Sequence, residues 1–404
     1  MKERPPWYKW IIVACCCLTS MSAIYGDSVL VPRALEVMQT FSLTPQQFAM
    51  VATAGLLIPV FISFFVGGIA DKIGAKNIVI VGYIITIVAG VARMSVTSFW
   101  PLFILTFLAA TCGAIMNAIV AKILSAWLGV NTGRGIGIMV ALAMLGQAAG
   151  TATGALYPTL ALSFLGAAIV AAVSLLVWIL LVQERPAGVP AMQSEKVTQG
   201  MGVVLSNKSV WFAGLGLFFF MGGNITTNKF LAASLTDVYQ YDVKVAGVIA
   251  SVLSIGLLCG NLLWPNLSIK IGRQKPILVS LGILAAVFTY VNYLVAGSSI
   301  VYVTTFVIGF FAGGLQPIFM TAAALIPDIP AKFRGTAGGA ISTLMMLGAF
   351  FVPSYVVTPI AGANYGTMFL LAAVCFVIIS VLMLFAPDVQ VLARKQQTED
   401  QAAS

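Results

Sequence analysis

Apolar runs of roughly twenty residues follow one another along nearly the whole chain, starting at about Trp10. A run of that length crosses the hydrocarbon core of a bilayer as an α-helix. In lipid every backbone polar group must be satisfied internally, so a chain of such runs folds as a bundle of spanning helices. Of the 404 residues, 60% are hydrophobic and 8% charged, against about 25% charged in soluble domains. No stretch is polar enough to form a separate soluble domain. The first run is too long for a signal-peptide core and reads as a retained span. The predicted spans are 10–33, 47–69, 77–98, 102–127, 136–158, 162–182, 210–234, 246–268, 276–296, 300–325, 337–359 and 366–386. The expected fold class is therefore all-α integral membrane, with about twelve transmembrane helices.

The chain repeats itself. Lys72-Ile73-Gly74 returns as Lys270-Ile271-Gly272, Arg134-Gly135 as Arg334-Gly335, and Met144-Leu145-Gly146 as Met346-Leu347-Gly348. The offsets of 198, 200 and 202 keep one register over half the chain. Two similar membrane halves are a usual build of secondary transporters, with the substrate bound where the halves meet. The expected organisation is a six-helix half over 1–182, a cytoplasmic linker over 183–209, and a second six-helix half over 210–404 that ends in a short cytoplasmic tail. The linker carries Glu184, Arg185, Glu195, Lys196 and Lys208 with Pro186 and Pro190, a composition suited to a flexible connection.

Lys and Arg set the orientation. With twelve spans both termini lie on one side, which collects sixteen basic residues, among them Lys2, Lys72, Lys76, Arg134, Lys270, Arg273 and Arg334. The other side holds Arg33, Arg93 and Lys244, all close to span ends. Both termini are expected in the cytoplasm, in a multi-pass protein of the cell membrane. The formal charge of +9 reflects this bias, so no nucleic-acid partner is expected. The six cysteines fall within spans and there is no histidine. No metal site or cofactor is expected, and buried cysteine is a small hydrophobe. No Ser, Cys or carboxylate constellation suits catalysis, so neither an enzyme nor a sensor with an effector domain is favoured.

The loop after the second span reads Gly67-Gly68-Ile69-Ala70-Asp71-Lys72-Ile73-Gly74-Ala75-Lys76. It resembles the signature loop of the major facilitator superfamily. The copy over 265–275 has Ile269 in the place of Asp71, a second-half decay that also fits the superfamily. Trp127-Leu128, Arg134-Gly135 and Gly137 resemble a pattern after span four in organic-anion members. The chain broadly resembles bacterial organic-anion and nitrate or cyanate members, although it lacks the arginines inside spans two and eight that a nitrate-type assignment implies. The resemblance implies an alternating-access carrier. In it, Asp71 just past its helix end would face the N-terminus of span eleven and pair with Arg134 as a cytoplasmic gate flanked by Lys72. The alternative is that Lys72, Lys76 and Arg134 only satisfy topology.

Gly146, Gly150 and Gly154 stand four apart on span five, followed by Pro158. This stripe permits close helix contact and is expected to let span five rock against the other half. The membrane-embedded charges are Asp27, Lys122 and Lys229. Each costs at least about 2.5–3.5 kcal/mol on insertion scales and needs a partner, a water-filled cavity or a role. Asp27 lies about 25 Å along span one and Lys229 about 27 Å along span seven, which predicts contact between equivalent helices. That contact reads either as a neutralising ion pair or as a switch opened by a proton on Asp27 or an anion on Lys229. The third possibility is that the two do not touch. Lys122 lies near the cytoplasmic end of span four, where it either snorkels or faces the cavity. Asn117, Gln147, Asn224, Asn228, Gln316 and Tyr355 complete the candidate cavity.

One carboxylate against one or two lysines favours an anionic substrate held by Lys and amide donors. The absence of an embedded arginine fork argues against bulky phosphates. The expectation is symport of a proton with a small monoanion, a short carboxylate or an inorganic oxyanion, by a monomer in membrane lipid. Anion exchange and proton-driven efflux of drugs or metabolites remain open.

Overall fold

The computed structural model describes residues 7–128, 132–183, 201–324, 329 and 334–386. Among these residues the regular structure is helical, and twelve stretches are long and apolar enough to cross a membrane. Spans one to six are Tyr8–Thr40, Pro45–Ile62, Ala75–Ser95, Phe99–Val120, Arg134–Gly154 and Leu160–Leu181. Spans seven to twelve are Lys208–Asp237, Val243–Ile271, Lys275–Val295, Val301–Met320, Thr336–Ala361 and Tyr365–Phe385. The helices carrying spans two and four run on as Ile58–Ile73 and Thr111–Leu128.

The ends follow from local chemistry. Span two opens on a capping box in which the Gln47 N–H donates to Thr44 Oγ1 at 3.2 Å and the Thr44 N–H to Gln47 Oε1 at 2.9 Å, with Pro45 in the first turn. Thr159 and Asn364 cap spans six and twelve in the same sense, relieving orphan N–H groups. The repeated Lys-Ile-Gly tripeptide is a helix terminator. Gly74 and Gly272 take φ of +93° and +75°, and their N–H groups close on Ala70 and Ser268 carbonyls at 3.0 and 2.9 Å. A side chain would be strained there.

Span one continues past its expected end at residue 33. Arg33 is 6% exposed, and its charge is absorbed locally. Its Nη1 meets Glu36 Oε2 at 2.6 Å, its Nε donates to the Gly154 carbonyl at 2.9 Å, and its Nη2 donates to the Tyr157 carbonyl. These carbonyls end span five, where a cation complements the helix dipole.

The chain divides into two compact units, Met1–Glu195 with Thr236–Ser251, and Lys196–Leu235 with Val252–Ser404. Most of the sequence-predicted linker, 184–200, lies outside the described residues. The first unit packs its core around Ile12, Tyr83, Met116 and Trp178. The glycine stripe of span five lies against span one of the same unit. A methyl on Gly146 would sit 2.5 Å from the Met21 carbonyl oxygen, and one on Gly150 would sit 2.7 Å from that of Tyr25. One on Gly154 would collide with the Val29 carbonyl. This corrects the expectation that the stripe serves as a rocking seam toward the other half: it seats span five on span one.

In the second unit Gly348 on span eleven meets the backbone of Phe218 on span seven, a methyl there lying 2.5 Å from Phe218 Cα. The repeated Met-Leu-Gly tripeptide thus marks one contact made twice, fifth span on first span in each half. Spans eight and ten add a reciprocal seam. Methyls on Gly256 and Gly260 would fall 3.1 and 3.2 Å from the Cα atoms of Gly309 and Gly313. Outside these contacts lie exposed apolar residues, Val173, Leu176 and Leu180 on span six and Leu384 and Phe385 on span twelve. Such surface suits lipid, not water.

Candidate functional site

Within the first unit the structure gathers polar groups around one cavity of about 50 Å³. Span one contributes Ser22 and Asp27, span three Tyr83, Thr86 and Arg93, and span four Thr106, while alanines of span six close the wall. Local breaks create the arrangement. The fourth span is interrupted at Ala110, between Phe99–Ala109 and Thr111–Leu128. The freed Cys112 N–H donates to Thr86 Oγ1 at 3.1 Å.

Arg93 stands in the last turn of span three, close to its end as the sequence implies, and it is buried there, 4% exposed. Its guanidinium lies 4.8 Å from the Phe164 ring centroid, a cation–π contact, and interacts electrostatically with Asp27. The available signal was that Arg93 lies inside the predicted third span, five residues before its end. Counting it toward orientation concealed its burial.

Asp27 itself is half-buried. Elsewhere in the first unit, Gln147 is half-buried and its carbonyl accepts from Thr151 Oγ1 at 3.0 Å. Asn117 is exposed and Lys122 half-buried, both on Thr111–Leu128. Asp71 lies within Ile58–Ile73, not past its end as expected, because Gly74 and not the carboxylate terminates the helix. The Asp71 side chain lies outside the described residues. Lys72 and Arg134 are exposed.

In the second unit Asn224, Asn228 and Lys229 are 9%, 2% and 3% exposed. The neighbouring threonines turn back on their own helix. Thr226 Oγ1 donates to the Gly222 carbonyl at 2.7 Å, and Thr227 Oγ1 to that of Gly223 at 2.9 Å. Gln316 is half-buried beside Pro317. Tyr355 is exposed, its ring 5.5 Å from Phe351 and 5.9 Å from Phe350, in a π-helical turn at Val352–Val357. Among the described residues no cluster of three or more His, Cys, Asp or Glu could hold a metal ion.

Twelve spans in two units that repeat the same helix contacts define a secondary-transporter architecture. A family model for the major facilitator superfamily matches residues 16–353. The chain belongs to that superfamily.

Two solved structures share its fold. The nucleoside transporter NupG (D323A mutant) superposes with a TM-score of 0.78 at 15% identity, over 93% of this chain and 99% of that one. A bacterial homolog of the human lysosomal transporter Spinster, inward-facing and unoccupied, gives 0.70 at 15%, over 99% of both. Sequence relatives match in part. A probable hexose phosphate transport protein of Chlamydia trachomatis is 31% identical over 158 residues, 37% of this chain and 33% of that protein. An uncharacterized protein of Archaeoglobus fulgidus is 27% identical over 147 residues, 36% of this chain and 66% of that one. The chain is thus a multi-pass membrane protein of this superfamily, and it spans between a third and two thirds of the length of these sequence relatives.

Proposed function

We propose that this carrier moves a small anion together with a proton. The observation that carries the reading is Lys229. It is 3% exposed in mid-span beside Asn224 and Asn228, and the described residues of its unit contain no Asp or Glu. A buried lysine among amide donors supports a site for an anion, since an embedded charge needs a partner or a role. Lys and amide donors suit a carboxylate or an oxyanion.

A second reading, an organic phosphate, draws support from the buried arginine and from the partial match to hexose phosphate transport proteins. Asp27 is the group we assign to proton coupling. Asp71 and Arg134, with Lys72 beside them, are assigned to the cytoplasmic gate, and the basic bias to cytoplasmic termini in a cell membrane.

Thermal unfolding of the purified protein tests the substrate class. A ligand at about 100 times its Kd stabilises the fold by about 2.7 kcal/mol. Short carboxylates, nitrate, cyanate or sugar phosphates should raise the melting temperature, and Lys229→Ala should abolish the rise. Which anion acts separates the first reading from the second. Hits confined to organic cations or neutral drugs would replace both with efflux.

A further inference from the structure

The cavity between spans one, three, four and six contains more polar atoms than its protein partners satisfy. Arg93 Nε and Thr106 Oγ1 are fully buried without a hydrogen-bond partner, while the buried Tyr83 hydroxyl reaches Thr19, Ser22 and Ser174. Tyr83, Arg93 and Thr106 line the same space as Asp27. Tyr83 is 1% exposed and Thr106 6%. Orphaned buried polar groups are rare and each costs about 1–3 kcal/mol. Two of them on one cavity point to a shared ligand.

The space is the right size for water. A water centre needs roughly 10–15 Å³ and the molecule needs two to four polar partners. The cavity offers about 50 Å³. Alanines of span six and the alanines of span four leave no room for an organic substrate. The titratable and charged groups facing it are Asp27 from span one, Tyr83 and Arg93 from span three, and Cys112 from span four. Span six brings none. On the face of span one toward span five, the Tyr25 hydroxyl is held by Tyr157 at 2.9 Å and Thr153 at 3.2 Å.

We propose that this cavity is a hydrated proton site in which internal water joins Asp27, Arg93, Tyr83 and Thr106, and that Arg93 is the positioning residue controlling when Asp27 takes its proton. This rests on the assignment of Asp27 to proton coupling. With Asp27 ionised the cavity is neutral. A proton moving from water to the carboxylate leaves the charge of Arg93 uncompensated, which favours uptake when the carrier also holds an anion.

Two measurements test the proposal. Hydroxyl-radical footprinting by mass spectrometry reports side chains beside ordered water, and it should label Tyr83 despite its burial. An unlabelled Tyr83 means a dry cavity and overturns the proposal. In proteoliposomes, Arg93→Met should behave like Asp27→Asn, with anion exchange retained and accumulation driven by a pH gradient lost. Arg93→Lys, which keeps the charge, should accumulate substrate. If Arg93→Met fails to fold, Thr106→Val removes one polar atom at nearly constant volume and should weaken both Tyr83 labelling and proton-driven accumulation. A coupled wild type with an equally coupled Arg93→Met or Thr106→Val overturns this inference alone. A wild type that never responds to a pH gradient overturns the coupling assignment and this inference with it.

Discussion

Gly150→Ala separates two accounts of the span-five glycines. The added methyl would lie 2.7 Å from the Tyr25 carbonyl oxygen, 3.0 Å from Ser28 Cβ and 3.2 Å from Tyr25 Cα. Ordinary contact begins at 3.4 Å, so the helices must part by about 0.7 Å, and over-packing of this kind costs about 1–3 kcal/mol. The neighbour is backbone and cannot rotate away. The Tyr25 carbonyl also accepts the Val29 N–H at 3.1 Å, so displacing it disturbs the end of the first helix. Gly137→Ala, with nothing within 4 Å, is the control. Thermal unfolding should place Gly150→Ala clearly below wild type, by roughly 2–4 °C per kcal/mol, and Gly137→Ala beside it. Unchanged stability for Gly150→Ala, together with slowed transport, would refute the seat on span one and restore a moving seam.

Three further outcomes are expected. Arg33→Met removes the donors to the Gly154 and Tyr157 carbonyls and should destabilise the protein by about 1–3 kcal/mol. Glu36→Gln, at a side chain 46% exposed, should cost much less, and a denaturation series on both variants checks the order. Asp27→Asn should exchange substrate at near wild-type rate but fail to accumulate it against an imposed pH gradient, and persistent accumulation would remove Asp27 from coupling. Asp71→Asn or Arg134→Ala should leave the fold intact and slow transport in proteoliposomes, and unchanged rates would leave these residues with topology alone.

The spans were legible because a lipid-crossing helix has one requirement, some twenty apolar residues, and hydropathy reports it directly. The repeated tripeptides were legible as repeats. Their reasons, a terminating glycine at 74 and 272 and a backbone seat at 146 and 348, needed geometry. A glycine stripe states that something comes close without stating what, and the neighbour proved to be span one. The burial of Arg93 was concealed because a charge near a span end serves orientation equally well in a count. Asn224, Asn228 and Lys229 are all buried because span seven is covered on more than one face. Asp71 was placed past its helix because an acid in a Gly-rich stretch reads as loop, whereas the chain stays helical until Gly74.

The reciprocal glycines of spans eight and ten have a consequence for how this protein tolerates change. At most buried positions a substitution can subtract atoms, and the surroundings relax into the gap. At Gly256, Gly260, Gly309 and Gly313 there is nothing to subtract, and the facing surface is main chain on both sides. Every replacement is an insertion into a seam that no rotamer change can widen. Variation along these two helices is therefore one-sided: their lipid-facing apolar residues can drift, while these four positions accept a single letter.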